Sequence, residues 1–334
     1  MKCMKIDAGL VYFIERLDQG RRSYKIGWTA RTAQERLTEL ETEYDAKLRV
    51  VYTVESPAAT LIEGHLHRLN SLTRIAHEWF RFADLELSAA IDEAHRVNRL
   101  LDPGTVEAAC HFDGTPSNGE TLDVRAQGPE RAFAILERFS RAQSCRNRLA
   151  ELAAQQAVPG RRLRELTSRS RGIAGVTTRR RVEGRPYRRE AAFQTEYPEL
   201  YDRLSRPSGL CCQFKLHALG LAAAGEDDES SDDNGLDSGE CPRFHEAEEH
   251  HARHLALARL AAPDQLELEL VALELRAMLA ENEGYEGVCS YRRRVERSVD
   301  WGALDRTEPQ LAARFAGKKA DSVRFRVMQY RGYL

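Results

Sequence analysis

Val11-Tyr12-Phe13-Ile14 and Tyr24-Lys25-Ile26-Gly27, joined through the turn-forming Asp18-Gln19-Gly20, are the stretch whose reading decides the fold. β-Branched and aromatic runs on either side of such a turn predict an antiparallel hairpin. Period-two geometry sets Tyr12 with Ile14 on one face and Tyr24 with Ile26 on one face of the partner strand, so two phenols are expected to approach across the pair. Working outward, Thr32-Ala33-Gln34-Glu35 has the spacing of a capping box and opens a helix with Ala33, Leu37 and Leu40 on one side. Val50 to Val54 returns to a β pattern. Ser56-Pro57 reads as the start of a second helix with Ala59, Ile62, Leu66 and Leu69 along its apolar stripe. Trp79 to Phe82 closes the sheet, and Leu85 to Leu101 forms a third helix ending at Asp102-Pro103-Gly104. The class is therefore α+β: a small domain over 1–102, with a short mixed or antiparallel sheet flanked by helices.

Past this boundary the signals change. Residues 103–128 mix Gly, Pro, Ser, Asn and Asp and read as a linker. The remainder, 129–334, reads as mainly helical. A long helix starts near Pro129, and Pro242 to Leu260 with Pro263 to Leu279 reads as an αα-hairpin turning at Ala261-Ala262. Between them lies an acidic, low-complexity loop at 225–240, expected to be disordered. No internal repeat stands out.

In the first domain, Arg36 falls within a helical stripe and leans toward the sheet, where a guanidinium needs an anion. Ala59, Glu63 and His67 form an i, i+4 row beside an apolar stripe, which places a carboxylate and an imidazole at the edge of the same core.

These segments, with Arg36-Leu37, Glu63, His67 and Glu78-Trp79-Phe80 in order, resemble the GIY-YIG endonuclease superfamily, in its phage-associated branch, over about residues 10–82. The resemblance implies a metal-dependent endonuclease that hydrolyses phosphodiester bonds, in DNA before RNA. It implies one Mg2+ (or Mn2+) held by Glu63, with Tyr12 as general base or water-positioning group, Arg36 on the phosphate, and His67 orienting Glu63 or passing a proton. Leu10 stands where the first motif has glycine. Lys25 stands where the second has tyrosine, with Tyr24 shifted one place; Lys25 in the cleft is expected to lower the pKa of Tyr12 or bind phosphate. Tyr12, Tyr24, Lys25, Arg36, Glu63 and His67 are the catalytic candidates.

A nucleic-acid partner is also read from arginine density between 161 and 189: Arg161, Arg162, Arg164, Arg179, Arg180, Arg181, Arg188 and Arg189 are the binding candidates. Two alternatives stand beside cleavage. One is a non-cleaving nucleic-acid-binding or phage-associated adaptor that keeps the fold; the other is a nuclease core fused to a module whose C-terminal helices bind a protein partner. Cys211, Cys212, His217, Cys241, His245, His250, His251 and His254 raise a zinc site, although their spacing fits no zinc template. The 334 residues carry a net charge of -2 and seven scattered cysteines, which read as reduced thiols in a cytoplasmic protein. No apolar run has the length of a membrane span, so no membrane partner is expected.

Overall fold

The computed structural model describes residues 6–18, 20–167, 170–217 and 241–331. The expected acidic loop at 225–240 lies outside them.

The hairpin forms as β1 (Gly9–Asp18) and β2 (Arg21–Thr29), with Tyr12 opposite Gly27. Thr32 and Glu35 make the capping box: the threonine hydroxyl accepts the Glu35 N–H at 3.3 Å and the Glu35 carboxylate accepts the Thr32 N–H at 3.0 Å, launching α1 (Ala33–Tyr44). β3 (Leu48–Ser56) follows and runs through Ser56, which therefore caps no helix. Its hydroxyl instead accepts the Ala58 N–H at 3.1 Å, and α2 (Ala59–Leu69) begins beyond it. β4 (Arg74–Ala76) and β5 (Trp79–Phe80) complete an antiparallel sheet of order β3-β1-β2-β5-β4. Helices cover both faces, which is why Val11 to Ile14 is buried without alternation. α1 packs on Tyr12, Ile14 and Trp79, while α2 and α3 (Asp84–Leu100) pack on Val11, Phe13, Tyr24 and Ile26.

The expected linker is largely structured. Asp102 accepts the Thr105 N–H at 2.8 Å and opens α4 (Pro103–His111); β6 (Thr121–Leu122) and a short 3-10 turn lead onward. Val106 and Ala109 of α4 join the apolar core of the first unit.

The region that follows is largely helical, with strands that composition did not reveal. It holds two copies of one pattern. The first comprises α5 (Pro129–Leu166), β7 (Gly172–Ile173), β8 (Thr177–Val182), β9 (Pro186–Arg188), α6 (Glu190–Glu196), α7 (Pro198–Leu204) and β10 (Ser205–Leu216). The second comprises α8 (His245–Leu279), β11 (Gly284–Tyr285), β12 (Cys289–Val299), α9 (Trp301–Thr307), α10 (Pro309–Arg314), β13 (Ala316–Lys318) and β14 (Ser322–Val327). The sequence repeats accordingly: Gly172-Ile173-Ala174-Gly175-Val176 against Gly284-Tyr285-Glu286-Gly287-Val288, Arg180-Arg181 against Arg292-Arg293, Pro198 against Pro309 and Phe214 against Phe325. A Cβ built on Gly172 would meet the Thr177 carbonyl oxygen at 2.4 Å, and one on Gly284 the Cys289 oxygen at 2.4 Å. Backbone bonds match too: Met328 N–H to Val176 O and His217 N–H to Val288 O are each 2.8 Å. An internal duplication is present after all, hidden because the two long helices diverged while the turns did not.

The copies exchange their last strands. β10 of the first pairs with β12 of the second in a sheet β10-β12-β11-β6, and β14 of the second pairs with β8 of the first in a sheet β14-β8-β7. α5 and α8 lie antiparallel, laced by Arg141–Glu267 at 2.5 Å and Arg162–Glu246 at 2.7 Å. The expected αα-hairpin within 242–279 is instead the unbroken α8, which continues through Pro263, and its antiparallel partner is α5. Proline in a helix interior costs about 3 kcal/mol; packing on both sides of α8 offsets it. Leu266, Leu270 and Leu273 of α8 enter the core of the first unit, and Arg68 of α2 pairs with Glu269 at 2.6 Å. α6, α7, α9 and α10 share a central cluster around Phe193, Leu304 and Phe315. Among the described residues no helix is long and apolar enough to cross a membrane.

Candidate functional site

On the α1 side of the sheet, the Tyr12 ring crosses β2 at Gly27. A Cβ there would stand 2.3 Å from the phenol oxygen, so only glycine leaves room for the ring. The phenol oxygen accepts a hydrogen bond from Arg36 Nε at 3.4 Å, and Arg36 Nη1 donates to Glu39 at 3.0 Å. Burial pushes the Tyr12 pKa up, and the hydrogen bond from Arg36 and the charge of Lys25 only partly oppose it. The lowering expected from Lys25 is real but outweighed. Tyr12 is a neutral phenol at neutral pH.

Lys25 is buried, and its ammonium is ion-paired with Glu78, so its charge is already committed. Glu78, whose residue type sat unremarked in Glu78-Trp79-Phe80, is the group sequence reasoning missed. Its neighbour Trp79 stands opposite Lys25 in the β2–β5 register, a pairing that no local feature of the sequence announces. Glu63 on α2 is half-buried, and among the described residues it makes no hydrogen bond or ion pair. Burial, followed by the negative charge of Glu78, lifts its pKa to about 7, against the pull of Lys25 and Arg74. Arg74, on β4, is a second group with no signature in the sequence.

His67 donates from Nε2 to the Ile26 carbonyl at 2.9 Å and packs on Phe80. Burial, then the charge of Arg74, drops its pKa to about 4, so the ring is neutral and ties α2 to β2 rather than bonding Glu63. Tyr24 lies on the opposite face from Tyr12: it is buried with Phe80 and Phe82, and its hydroxyl donates to Glu15 at 3.2 Å. The expected approach of the two phenols does not occur, because in this register Tyr12 faces Gly27 and Tyr24 faces Glu15.

The arrangement can hold a phosphate and a cation side by side. Two carboxylates, Glu63 and Glu78, sense each other's charge, and only Glu78 has a cationic partner. A hard divalent ion that keeps most of its water needs no more than one or two such ligands. Among the described residues no three His, Cys, Asp or Glu side chains gather as a metal-binding cluster, and the cysteines and histidines of 211–254 lie apart: Cys211 is exposed on β10, Cys241 bridges to Ile173, and His251 bonds the Met328 carbonyl at 2.7 Å.

The arginine tract is spread over α5, β8, β9 and the start of α6. Arg161 and Arg164 line a groove of about 590 Å³ with Gln156, His254 and Phe325. Arg162 pairs with Glu246, Arg181 with Asp321 and Arg188 with Asp305. Arg189 donates to the Arg314 carbonyl, Arg179 lies half-buried in β8, and Arg180 is exposed.

Residues 9–99 match the T5orf172 domain, a phage-associated nuclease-like fold. No curated protein and no solved structure shows significant similarity to the chain.

Proposed function

We propose that the first unit is a GIY-YIG-type endonuclease centre that uses Mg2+ (or Mn2+) to hydrolyse phosphodiester bonds in DNA. The observation that carries this reading is the pairing of Tyr12 with Arg36 on one side of the site and, on the other, an unpaired carboxylate, Glu63, with a pKa of about 7. Glu63, with Glu78 beside it, would hold the cation, which supplies Lewis-acid stabilisation of charge on the leaving oxygen. Arg36 uses Nε and Nη1 within the protein and leaves its remaining N–H groups for phosphate oxygens. Because Tyr12 accepts from Arg36, its own O–H is free to donate, which suits it to orient water or phosphate. Lys25, bonded to Glu78, limits the negative charge facing the substrate.

The non-cleaving reading is favoured by one feature: apart from Glu63, assigned here to the cation, neither catalytic candidate that could serve as a base is ready at neutral pH, since Tyr12 is protonated and His67 is turned to the backbone. Nicking of supercoiled plasmid by the full chain separates the two. Metal-dependent nicks that vanish in Glu63→Gln and Arg36→Ala support the nuclease; DNA binding without nicks under Mg2+ or Mn2+ supports the adaptor.

A further inference from the structure

The duplication gives the C-terminal region two equivalent outer sheet faces. On the β14-β8-β7 sheet, alternation turns Phe325 and Val327 inward and Arg180, Arg324 and Arg326 outward, all three exposed. Arg180 stands directly opposite Arg324 in the register. Like charges facing each other at that spacing are destabilising unless an anion lies between them, and among the described residues no carboxylate pairs with either. On the β10-β12-β11 sheet the positions equivalent to Arg180, Arg324 and Arg326 hold Arg292, Gln213 and Lys215, and Arg294 stands on the same face. Among nearby acids, Glu283 lies 3.4 Å from Arg292 and 3.2 Å from Arg294, Glu296 stands exposed two residues beyond Arg294 on the same face, and Asp321 is taken by Arg181 and the Gly184 N–H.

Each sheet packs inward on both long helices: Leu163 with Ala247 lies under one, Ile135 with Leu275 under the other. The axis relating the copies therefore passes between α5 and α8, perpendicular to both. The contact points under the two sheets, Ala247 and Leu275, both lie on α8 and are separated by roughly 40 Å at 1.5 Å per residue.

We propose that this region binds duplex DNA along its phosphate backbone through both faces at once: Arg180, Arg324 and Arg326 on one, Lys215, Arg292 and Arg294 on the other. The argument for a duplex is symmetry. Its antiparallel strands are related by two-fold axes perpendicular to the helix, as the two faces are, whereas a single strand has no such axis. A span of roughly 40 Å is a little over one turn of B-DNA, about 12 base pairs. This rests on the nucleic-acid half of the reading above and not on cleavage.

The test is fluorescence anisotropy of the full chain in EDTA with labelled 10- and 20-base-pair duplexes and a 20-nucleotide single strand. The 20-base-pair duplex is expected to bind at least about tenfold tighter than the others. Arg180→Ala/Arg324→Ala/Arg326→Ala and Lys215→Ala/Arg292→Ala/Arg294→Ala should each flatten its salt dependence by about two to three contacts. For the 10-base-pair duplex, either change should have a smaller effect. Arg→Lys versions should restore binding, and an unchanged melting temperature confirms folding. Equal affinity for 10 and 20 base pairs, equal affinity for single strand and duplex, or wild-type binding after removal of either face would overturn the proposal. Loss of nicking with intact 20-base-pair binding would sink the nuclease reading alone.

Discussion

Tyr12 and Tyr24 leave one hairpin on opposite faces of the N-terminal sheet, and their surroundings differ in kind. Around Tyr24 the neighbours are Phe80, Phe82 and the apolar stripes of α2 and α3, with a single hydrogen bond to Glu15 at the rim. Around Tyr12 the sheet is left thin at Gly27, and charges line up from Arg36 through Lys25 and Glu78 to Glu63. The apolar face holds the unit together. The charged face carries burial costs that Lys25–Glu78 and Arg36–Glu39 offset within the protein, leaving Glu63 without a cationic hydrogen-bond partner among the described residues.

If that division is right, the largest effect should come from Glu63→Gln, with plasmid nicking down about 100- to 1,000-fold and thermal stability at pH 8 unchanged or raised. The wild-type rate should also climb with pH and flatten near 7, where Glu63 loses its proton. Because the folded-state pKa of Glu63 lies above its ordinary 4.5, the folded chain holds the extra proton between those values, and the contribution of this group to stability falls as pH rises from 4.5 to 7. Calorimetric scans across that window should lose this component in Glu63→Gln.

Gly27→Ala comes next. Its methyl group would collide with the Tyr12 phenol, at a cost of about 1–3 kcal/mol in chemical denaturation; Gly64→Ala on α2, where the nearest atom is the Arg68 guanidinium at 3.6 Å, should cost nothing or stabilise. Equal destabilisation by the two would show that the thin spot at Gly27 has no special role. Tyr12→Phe should cost about 1 kcal/mol while abolishing most nicking. The smallest effect belongs to Tyr24→Phe: a similar or smaller loss of stability, with nicking intact. Should the two tyrosine variants lose activity alike, the distinction between the faces fails.

Much of the first unit could be read from its residues, because local chemistry dictates it. The capping box at Thr32, the turn at Gly20 and the period-two runs each act over a few positions. What could not be read depends on register. Whether Tyr12 meets Tyr24 or Gly27 is decided by which residues pair across the strands, and Glu78 reaches Lys25 only because β5 joins β2 there. The second half was harder for the same reason. A proline at 263 breaks a helix by local rules, yet α8 runs through it because α5 and the first unit clamp both sides. Strands such as β8 and β14 are arginine-rich and find their partners in the opposite copy, so composition suggested only a basic tract.

The exchange of β10 and β14 has a lineage written into it. It is what a strand-swapped homodimer becomes when its two chains are joined end to end: assembly no longer depends on concentration, and the halves are free to drift apart. They have done so at the surface that seats the N-terminal unit. Leu273 and Glu269 take part in that seat, whereas their counterparts in the first copy, Arg161 and Ala157, face an open groove. A symmetric ancestor would have offered two such seats; in the fused chain the second copy's helix has kept its seat, and the first copy's helix opens onto a groove instead.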